Sequence, residues 1–134
     1  MKKNQQFFLL GYMIHESAAW SEVHQKWTFL PRRAHKLQYN DVEDELHGTN
    51  LMLKTDESFS KVDLSTIGTL DQPSHGFSSF KFVPNTQDSV IVALKSEEFK
   101  GKIASYIMVF KTDGTILYPE TFIGDHKYEG IEFV

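Results

Sequence analysis

The sequence contains no cysteine, so it offers neither a disulfide framework nor a thiolate for catalysis or zinc binding. It has no apolar run of about 20 residues, the length that a membrane-spanning helix needs. A glycine-rich phosphate loop and a Gly-x-Ser-x-Gly nucleophile motif are both absent. With 14 basic and 18 acidic residues, the chain also lacks the basic excess of proteins that bind nucleic acid or anionic membranes. These absences exclude thiol chemistry but leave the cellular compartment open.

The first residues have some features of a secretory signal peptide. Two lysines precede the apolar run at 7–14, but Gly11 and Tyr12 interrupt that run and no small-x-small cleavage pattern follows cleanly. We interpret 7–14 as an ordinary first strand, with the signal peptide as the alternative.

Residues 75–98 have the clearest secondary-structure pattern. The alternating runs 77–83 and 89–95 flank the turn-rich segment 84–88, which predicts a hairpin. Strict alternation places Phe77 and Ser79 on one face and Ser78 and Phe80 on the other. Strands at 103–111 and 115–124, joined by a turn at 112–114, complete a four-stranded meander. A short β-rich run, 128–134, follows.

The first half of the chain has the same order of parts. Strands are predicted at 26–30, 50–55 and 62–68, and the polar segment 34–49 is interpreted as a loop with a solvated acidic cluster at 41–45. Both units close on Ile-Gly, at 67–68 and 123–124. The 134 residues, 40% of them hydrophobic, suit one globular unit. The repeat predicts an all-β fold made of β-propeller blades, with a β-sandwich as the alternative.

Oxygen-bearing side chains recur at the start of the first strand of each unit. In a propeller these strands line the central channel, so Glu16, Ser78 and Glu129 would converge near its axis. Carboxylate and hydroxyl oxygens suit a hard cation, and calcium in particular. Taken one at a time, the three residues are ordinary capping or solvated polar groups.

Basic residues recur at the ends of the second strands. Arg32, Arg33 and Lys95 could form a rim for a phosphate, although charge alone favours ordinary surface residues. The 6 histidines lack the short spacing of a zinc site, so they are interpreted as surface or packing residues.

Six stretches closely resemble the carboxy-terminal part of the soluble calcium-activated nucleotidases, the apyrase family. They are IHESAAW (14–20), KWTFLPRRA (26–34), HGFSSFKFVPNT (75–86), VALKSEE (92–98), ASYIMVF (104–110) and KYEGIEFV (127–134). The resemblance covers about 11–134, whereas 1–10 match nothing expected before the IHES motif.

The resemblance implies a five-bladed propeller that hydrolyses nucleoside di- and triphosphates such as UDP and GDP, with calcium on the channel axis. It assigns calcium ligation to Glu16 of IHES, Ser78 of GFSS and Glu129 of YEGIEF, and phosphate contact to Arg32 of FLPRR, with Arg33 as its structural neighbour. It also implies a secreted protein or one of the ER or Golgi lumen.

The domain organisation follows from the same units. Residues 1–134 are interpreted as part of one propeller domain, with an atypical amino terminus at 1–10, a first blade unit at 11–68, a second at 75–124 and the first strand of a closing blade at 127–134. Because members of the family are more than twice this length, we expect a truncated form with low or no activity alone. The alternative is a non-catalytic module that pairs through open sheet edges, for example as a homodimer.

Overall fold

The computed structural model describes residues 13–34, 50–68, 74–128 and 130–134. Within these ranges it contains eight strands and no helix, and so no helix that could cross a membrane. The strands are β1 (Met13–Ser21), β2 (Lys26–Ala34), β3 (Leu51–Thr55), β4 (Val62–Thr66), β5 (His75–Phe82), β6 (Val90–Phe99), β7 (Lys102–Lys111) and β8 (Ile116–Gly124).

The strands form two antiparallel sheets with the orders β1-β2-β3-β4 and β5-β6-β7-β8. Each sheet is a meander in which every strand pairs with the next one along the chain. The β5–β6 turn carries positive φ angles at Asn85, Gln87 and Asp88, and Gly114 has a φ of 96° in the β7–β8 turn. The predicted all-β class and its two four-stranded meanders are confirmed. A five-bladed ring needs more sheets than these two and stays a prediction.

Two strands run further than their apolar patterns predict. β2 continues past Leu30 to Ala34, and β6 continues past Lys95 to Phe99. The extensions are polar, but β6 keeps a paired neighbour at each step, including Ser96 opposite Ser105 and Glu97 opposite Ala104. Apolar alternation therefore underestimates strand length wherever buried polar side chains continue the ladder.

The alternation predicted for β5 is wrong at Ser78. Phe77 pairs with Lys95 and Ser79 pairs with Leu94, so Ser78 is an extra residue in the ladder. Such a bulge shifts the facing of the residues that follow it. Phe77 and Phe80, which were predicted on opposite faces, consequently both enter the hydrophobic core.

The core is a single cluster that draws on both sheets. β5 contacts β1 and β2, which brings the two sheets together. The cluster consists of Leu30, Met52, Ile67, Phe77, Phe80, Ile91, Ala93, Met108 and Phe110. Burying side chains of this size stabilises the fold by about 1.5–3 kcal/mol each, so the two meanders are held together mainly by this layer.

The described residues of 127–134 lie outside the eight strands, where the sequence predicts the first strand of a closing blade. A strand needs a neighbour to accept and donate its backbone hydrogen bonds, and no described strand pairs with this segment. Its place in a further blade stays a prediction.

Candidate functional site

The first strand of each sheet has an irregular register at a predicted calcium ligand. On β5 the extra residue is Ser78 itself. On β1, His15 pairs with Pro31 and Ala18 with Phe29, so three steps on β1 match two on β2 across the position of Glu16. One step earlier the excess lies on β2, because Ile14 pairs with Arg33, so the two irregularities on β1 offset each other. Irregular ladders of this kind re-aim side chains and are frequent beside active sites. Both first strands are thus irregular at this position, but only β5 gains a net extra residue.

The three predicted ligands are described to different extents. Ser78 is half-buried, and its Oγ donates a long hydrogen bond of 3.4 Å to the Leu94 carbonyl oxygen. The side chain of Glu16 and the whole of Glu129 lie outside the described residues. Among the side chains that are described, no group of three or more His, Asp or Glu residues is arranged to hold a metal ion. The predicted calcium site thus stays a prediction.

The chain just before Glu129 is fixed to β7 by one hydroxyl. Ser105 is fully buried, and its Oγ donates to the His126 carbonyl oxygen over 2.5 Å and accepts from the Tyr128 backbone N–H over 3.2 Å. A Cβ added to Gly124 would lie 3.0 Å from the Tyr128 hydroxyl, so the two segments pack closely. The carboxy-terminal segment therefore leaves β8 along a defined path.

Arg32 lies between the two sheets. Only 4% of it is exposed, its Nη1 donates to Ser96 Oγ over 2.6 Å, and its Nη2 lies 3.9 Å from Glu98 Oε1. A Cβ on Gly76 would overlap the Arg32 carbonyl oxygen, so glycine is needed for this close approach. The interpretation of Arg32 as ordinary surface charge is wrong, because it is buried against β5 and β6. The side chain of Arg33 lies outside the described residues.

Lys95 is also buried rather than on a surface rim. It is 1% exposed, its Nζ lies 3.1 Å from Glu120 Oε1, and it donates to Asn50 Oδ1, immediately before β3. The ammonium also sits 4.8 Å from the centre of the Phe77 ring, within the range of a cation–π contact. The surface interpretation of this residue is wrong because sheet packing covers it.

Lys95 begins a chain of polar contacts across the second sheet. Glu120 Oε2 contacts His75 Nδ1, and His75 Nε2 lies 3.5 Å from Glu97 Oε1. The same carboxylate accepts hydrogen bonds from Ser74 over 2.7 Å and from Tyr106 over 2.9 Å. The Tyr106 ring stacks on His75 with centroids 4.0 Å apart. The sequence analysis interpreted the histidines as surface or packing residues, and His75 is a packing residue.

This network borders a cavity of about 400 Å³ lined by His75, Glu97, Lys102, Tyr106, Glu120 and Phe122. Burial pushes the pKa of Glu120 upward, but the hydrogen bond from His75 and the charge of Lys95 outweigh burial and leave that pKa below its ordinary value. Burial acts in the same direction on Glu97, and the hydrogen bonds from Ser74 and Tyr106 again leave its pKa lowered. Both carboxylates are therefore ionised at neutral pH.

Burial, followed by the hydrogen bond to Glu97, raises the pKa of Tyr106 to about 12. Burial also lowers the pKa of Lys95, an effect that the charge of Glu120 partly offsets. The phenol and the two carboxylates all titrate far from neutral pH. Their arrangement suits a network that joins strands better than one that transfers protons.

Sequence reasoning missed most of this arrangement. It named Arg32 and Lys95 but not their partners Ser96 and Glu120, and it treated Glu97 and Glu98 as parts of a motif without a role. The available signal was the polar run Lys95–Glu98 directly after an apolar strand pattern, because polar residues that continue a buried strand need hydrogen-bond partners. No local pattern indicates Glu120.

Comparison with known proteins identifies the family. A family model described as Apyrase matches residues 1–134. Soluble calcium-activated nucleotidase 1 of Mus musculus is 56% identical over 124 residues, which are 92% of this chain and 30% of the mouse protein. Apyrase apy-1 of Caenorhabditis elegans is 46% identical over 125 residues, 92% of this chain and 35% of that protein. Apyrase of Cimex lectularius is 41% identical over 124 residues, which are 92% of this chain and 34% of that protein. The chain thus spans about a third of the length of the curated relatives it matches, and it belongs to the apyrase family.

Proposed function

We propose that these residues form part of the site of a calcium-dependent nucleotidase, which hydrolyses nucleoside di- and triphosphates such as UDP and GDP and releases phosphate. The observation that carries the proposal is the irregular strand register of both β1 and β5 at the positions of Glu16 and Ser78. The names of the relatives support it, since the mouse protein is named a calcium-activated nucleotidase and those of the nematode and the bed bug are named apyrases.

The chemistry of the predicted donors fits calcium. Glu16, Ser78 and Glu129 offer only oxygen, the ligand that hard cations take. The hydrogen bond from Ser78 Oγ is long at 3.4 Å, so exchanging it for a cation costs little. A bound calcium ion supplies Lewis-acid polarisation of phosphate oxygens. The protein's own part is to hold the oxygens of Glu16 and Ser78 on β1 and β5, which contact each other, with Glu129 supplied by the carboxy-terminal segment.

Arg32 is the proposed phosphate contact. A guanidinium is always charged and offers a planar fork of donors that matches phosphate oxygens. Burial between the sheets excludes water around the group, which strengthens its attraction for an anion. Its role is to bind and orient the phosphate beside the metal ligands.

Three predicted ligands are fewer than the six to eight oxygens, roughly, that calcium takes. The rest must come from water or from parts of the longer family fold. We therefore propose that the 134 residues alone hydrolyse nucleotides poorly.

The ligand assignment is tested in a full-length apyrase carrying these residues. Glu16→Ala and Ser78→Ala should each raise the calcium concentration for half-maximal UDP hydrolysis about tenfold or more, at least the effect seen when an outer-shell partner of a metal is lost. Glu57→Ala is the control, because Glu57 is an exposed carboxylate in the β3–β4 turn. Normal calcium dependence in the Glu16 and Ser78 variants would show that the assignment is wrong.

We propose a secreted or luminal location and nucleotides as the partners, without nucleic acid. Neither the structure nor the relatives support the homodimer. The alternative of a module that pairs through its sheet edges draws on β8, where Leu117, Tyr118 and Phe122 are exposed. It stays a prediction, and a strictly monomeric species in size-exclusion chromatography would count against it.

A further inference from the structure

The contacts of Arg32 assign a role to Ser96 on β6. An arginine side chain has many rotamers, so a phosphate-binding guanidinium must be held in one of them before substrate arrives. Ser96 is fully buried, and its Oγ accepts from Arg32 Nη1 over 2.6 Å, a short distance for a hydrogen bond from nitrogen. On the strand beside it, Gly76 pairs with Ser96 and lets the Arg32 backbone approach. Backbone and head group of Arg32 are thus both located by the same pair of residues.

We propose that Ser96 is a positioning residue that holds the Arg32 guanidinium in place for the nucleotide phosphate. The inference rests on the proposed function, in which Arg32 binds phosphate. A hydroxyl suits this task because it accepts a hydrogen bond without carrying a charge, whereas a carboxylate in its place would neutralise the arginine. Ser96 therefore orients the guanidinium without neutralising its positive charge.

Glu98 lies within reach of both Arg32 and Lys127. Glu98 Oε1 lies 2.7 Å from Lys127 Nζ but 3.9 Å from Arg32 Nη2. Because the attraction between charges falls with distance, this oxygen is attracted more strongly by the lysine than by the arginine. Lys127 thereby keeps the carboxylate from drawing the guanidinium away from Ser96 and competing with phosphate.

The test uses UDP hydrolysis by a full-length apyrase carrying these residues, at saturating calcium. Ser96→Ala should lower kcat/KM about tenfold or more, the range for a hydrogen bond to a charged group, with an unchanged half-maximal calcium concentration. Ser96→Thr, which keeps the hydroxyl, should restore most of the activity. In an Arg32→Lys background, Ser96→Ala should have little further effect, because the group that it positions is already gone.

The matched control is Ser21→Ala. Ser21 is equally buried, and its Oγ donates to Asp88 over 2.8 Å and accepts from the His24 N–H over 3.0 Å at the far end of β1. This variant should lose similar stability while keeping kcat/KM. Equal losses of kcat/KM in the Ser21 and Ser96 variants, or a full Ser96→Ala effect in the Arg32→Lys background, would overturn the proposal.

A second measurement avoids fully buried positions. Lys127→Met should lower kcat/KM severalfold, and adding Glu98→Gln should reverse the loss, because the competing carboxylate is then removed. If the double variant is no better than Lys127→Met, Glu98 does not compete for Arg32 and the proposed arrangement is wrong. An unmodified enzyme without calcium-dependent hydrolysis would instead overturn the proposed function itself, so the two failures are distinguishable.

Discussion

The two sheets share one topology but differ in what they place at matching positions. In the first sheet Pro31 pairs with His15, and in the second Lys95 pairs with Phe77 at the corresponding step. Pro31 brings neither charge nor an N–H, whereas Lys95 joins both sheets through Asn50 and Glu120. The same backbone ladder therefore supports an uncharged position in one unit and a buried ion pair in the other.

The outer strands differ as well. β3 and β4 have 5 residues each, while β7 has 10 and β8 has 9. The outer strands of the second sheet also carry Tyr106 and Glu120, which contact His75 and Lys95. The second sheet thus has both the longer outer strands and the polar network.

The two Ile-Gly pairs that close the repeat units differ in how far their isoleucines are buried. Ile67 is fully buried in the shared core, whereas Ile123 is 42% exposed. The two isoleucines hold equivalent places in the sequence repeat. Their difference comes from packing, because the second sheet covers Ile67 and no described element covers Ile123.

The largest effect should come from breaking the buried ion pair of the second sheet. Lys95→Met should destabilise the fold by about 3–5 kcal/mol, since it leaves Glu120 without its ammonium partner. Lys26→Met is the counterpart in the first sheet. Lys26 Nζ lies 3.9 Å from Asp63 Oδ2, and the two side chains are 44% and 57% exposed, respectively. Because this pair is solvated, we expect Lys26→Met to lower the free energy of unfolding by no more than about 0.5 kcal/mol.

Urea unfolding of the chain measures both losses. The double variant Lys95→Met, Glu120→Gln should recover part of the stability, because it removes the uncompensated charge. Similar losses in Lys95→Met and Lys26→Met would remove the contrast between the sheets.

A smaller effect is expected at Gly76. Its counterpart in the first sheet is Ile14, which pairs with Arg33 as Gly76 pairs with Ser96. Gly76→Ala should cost about 1–3 kcal/mol, because the added Cβ overlaps the backbone of Arg32. A Cβ at Gly130 meets nothing within 4 Å, so Gly130→Ala should change thermal stability little. A Gly76→Ala melting temperature equal to that of the unmodified chain would contradict the close approach.

The smallest effect concerns acid stability. The pKa values of Glu97 and Glu120 are lowered from 4.5 in the folded state, so their stabilisation is present above that pH and is lost as the pH falls below it through the folded values. Glu97→Gln should flatten the decline of the unfolding midpoint in this range. An unaltered slope in Glu97→Gln would show that the network does not set acid stability.

The sequence by itself determined the features that depend on neighbouring residues. Alternation predicted the hairpin around 84–88, the turn residue Gly114 ends β7 where expected, and the motifs from IHES to YEGIEF predicted the family. Turns and strands are readable in this way because their signals lie within a few residues of each other.

Only the tertiary structure decided the bulge at Ser78 and the burial of Arg32 and Lys95. A bulge is defined by the count of residues on the partner strand, which no single strand reveals. Burial of a charge depends on which parts of the chain pack over it, and the partners of Lys95 are Asn50, immediately before β3, and Glu120 on β8. Charged side chains enter an interior only where distant residues supply their partners, so their place cannot be deduced from local pattern.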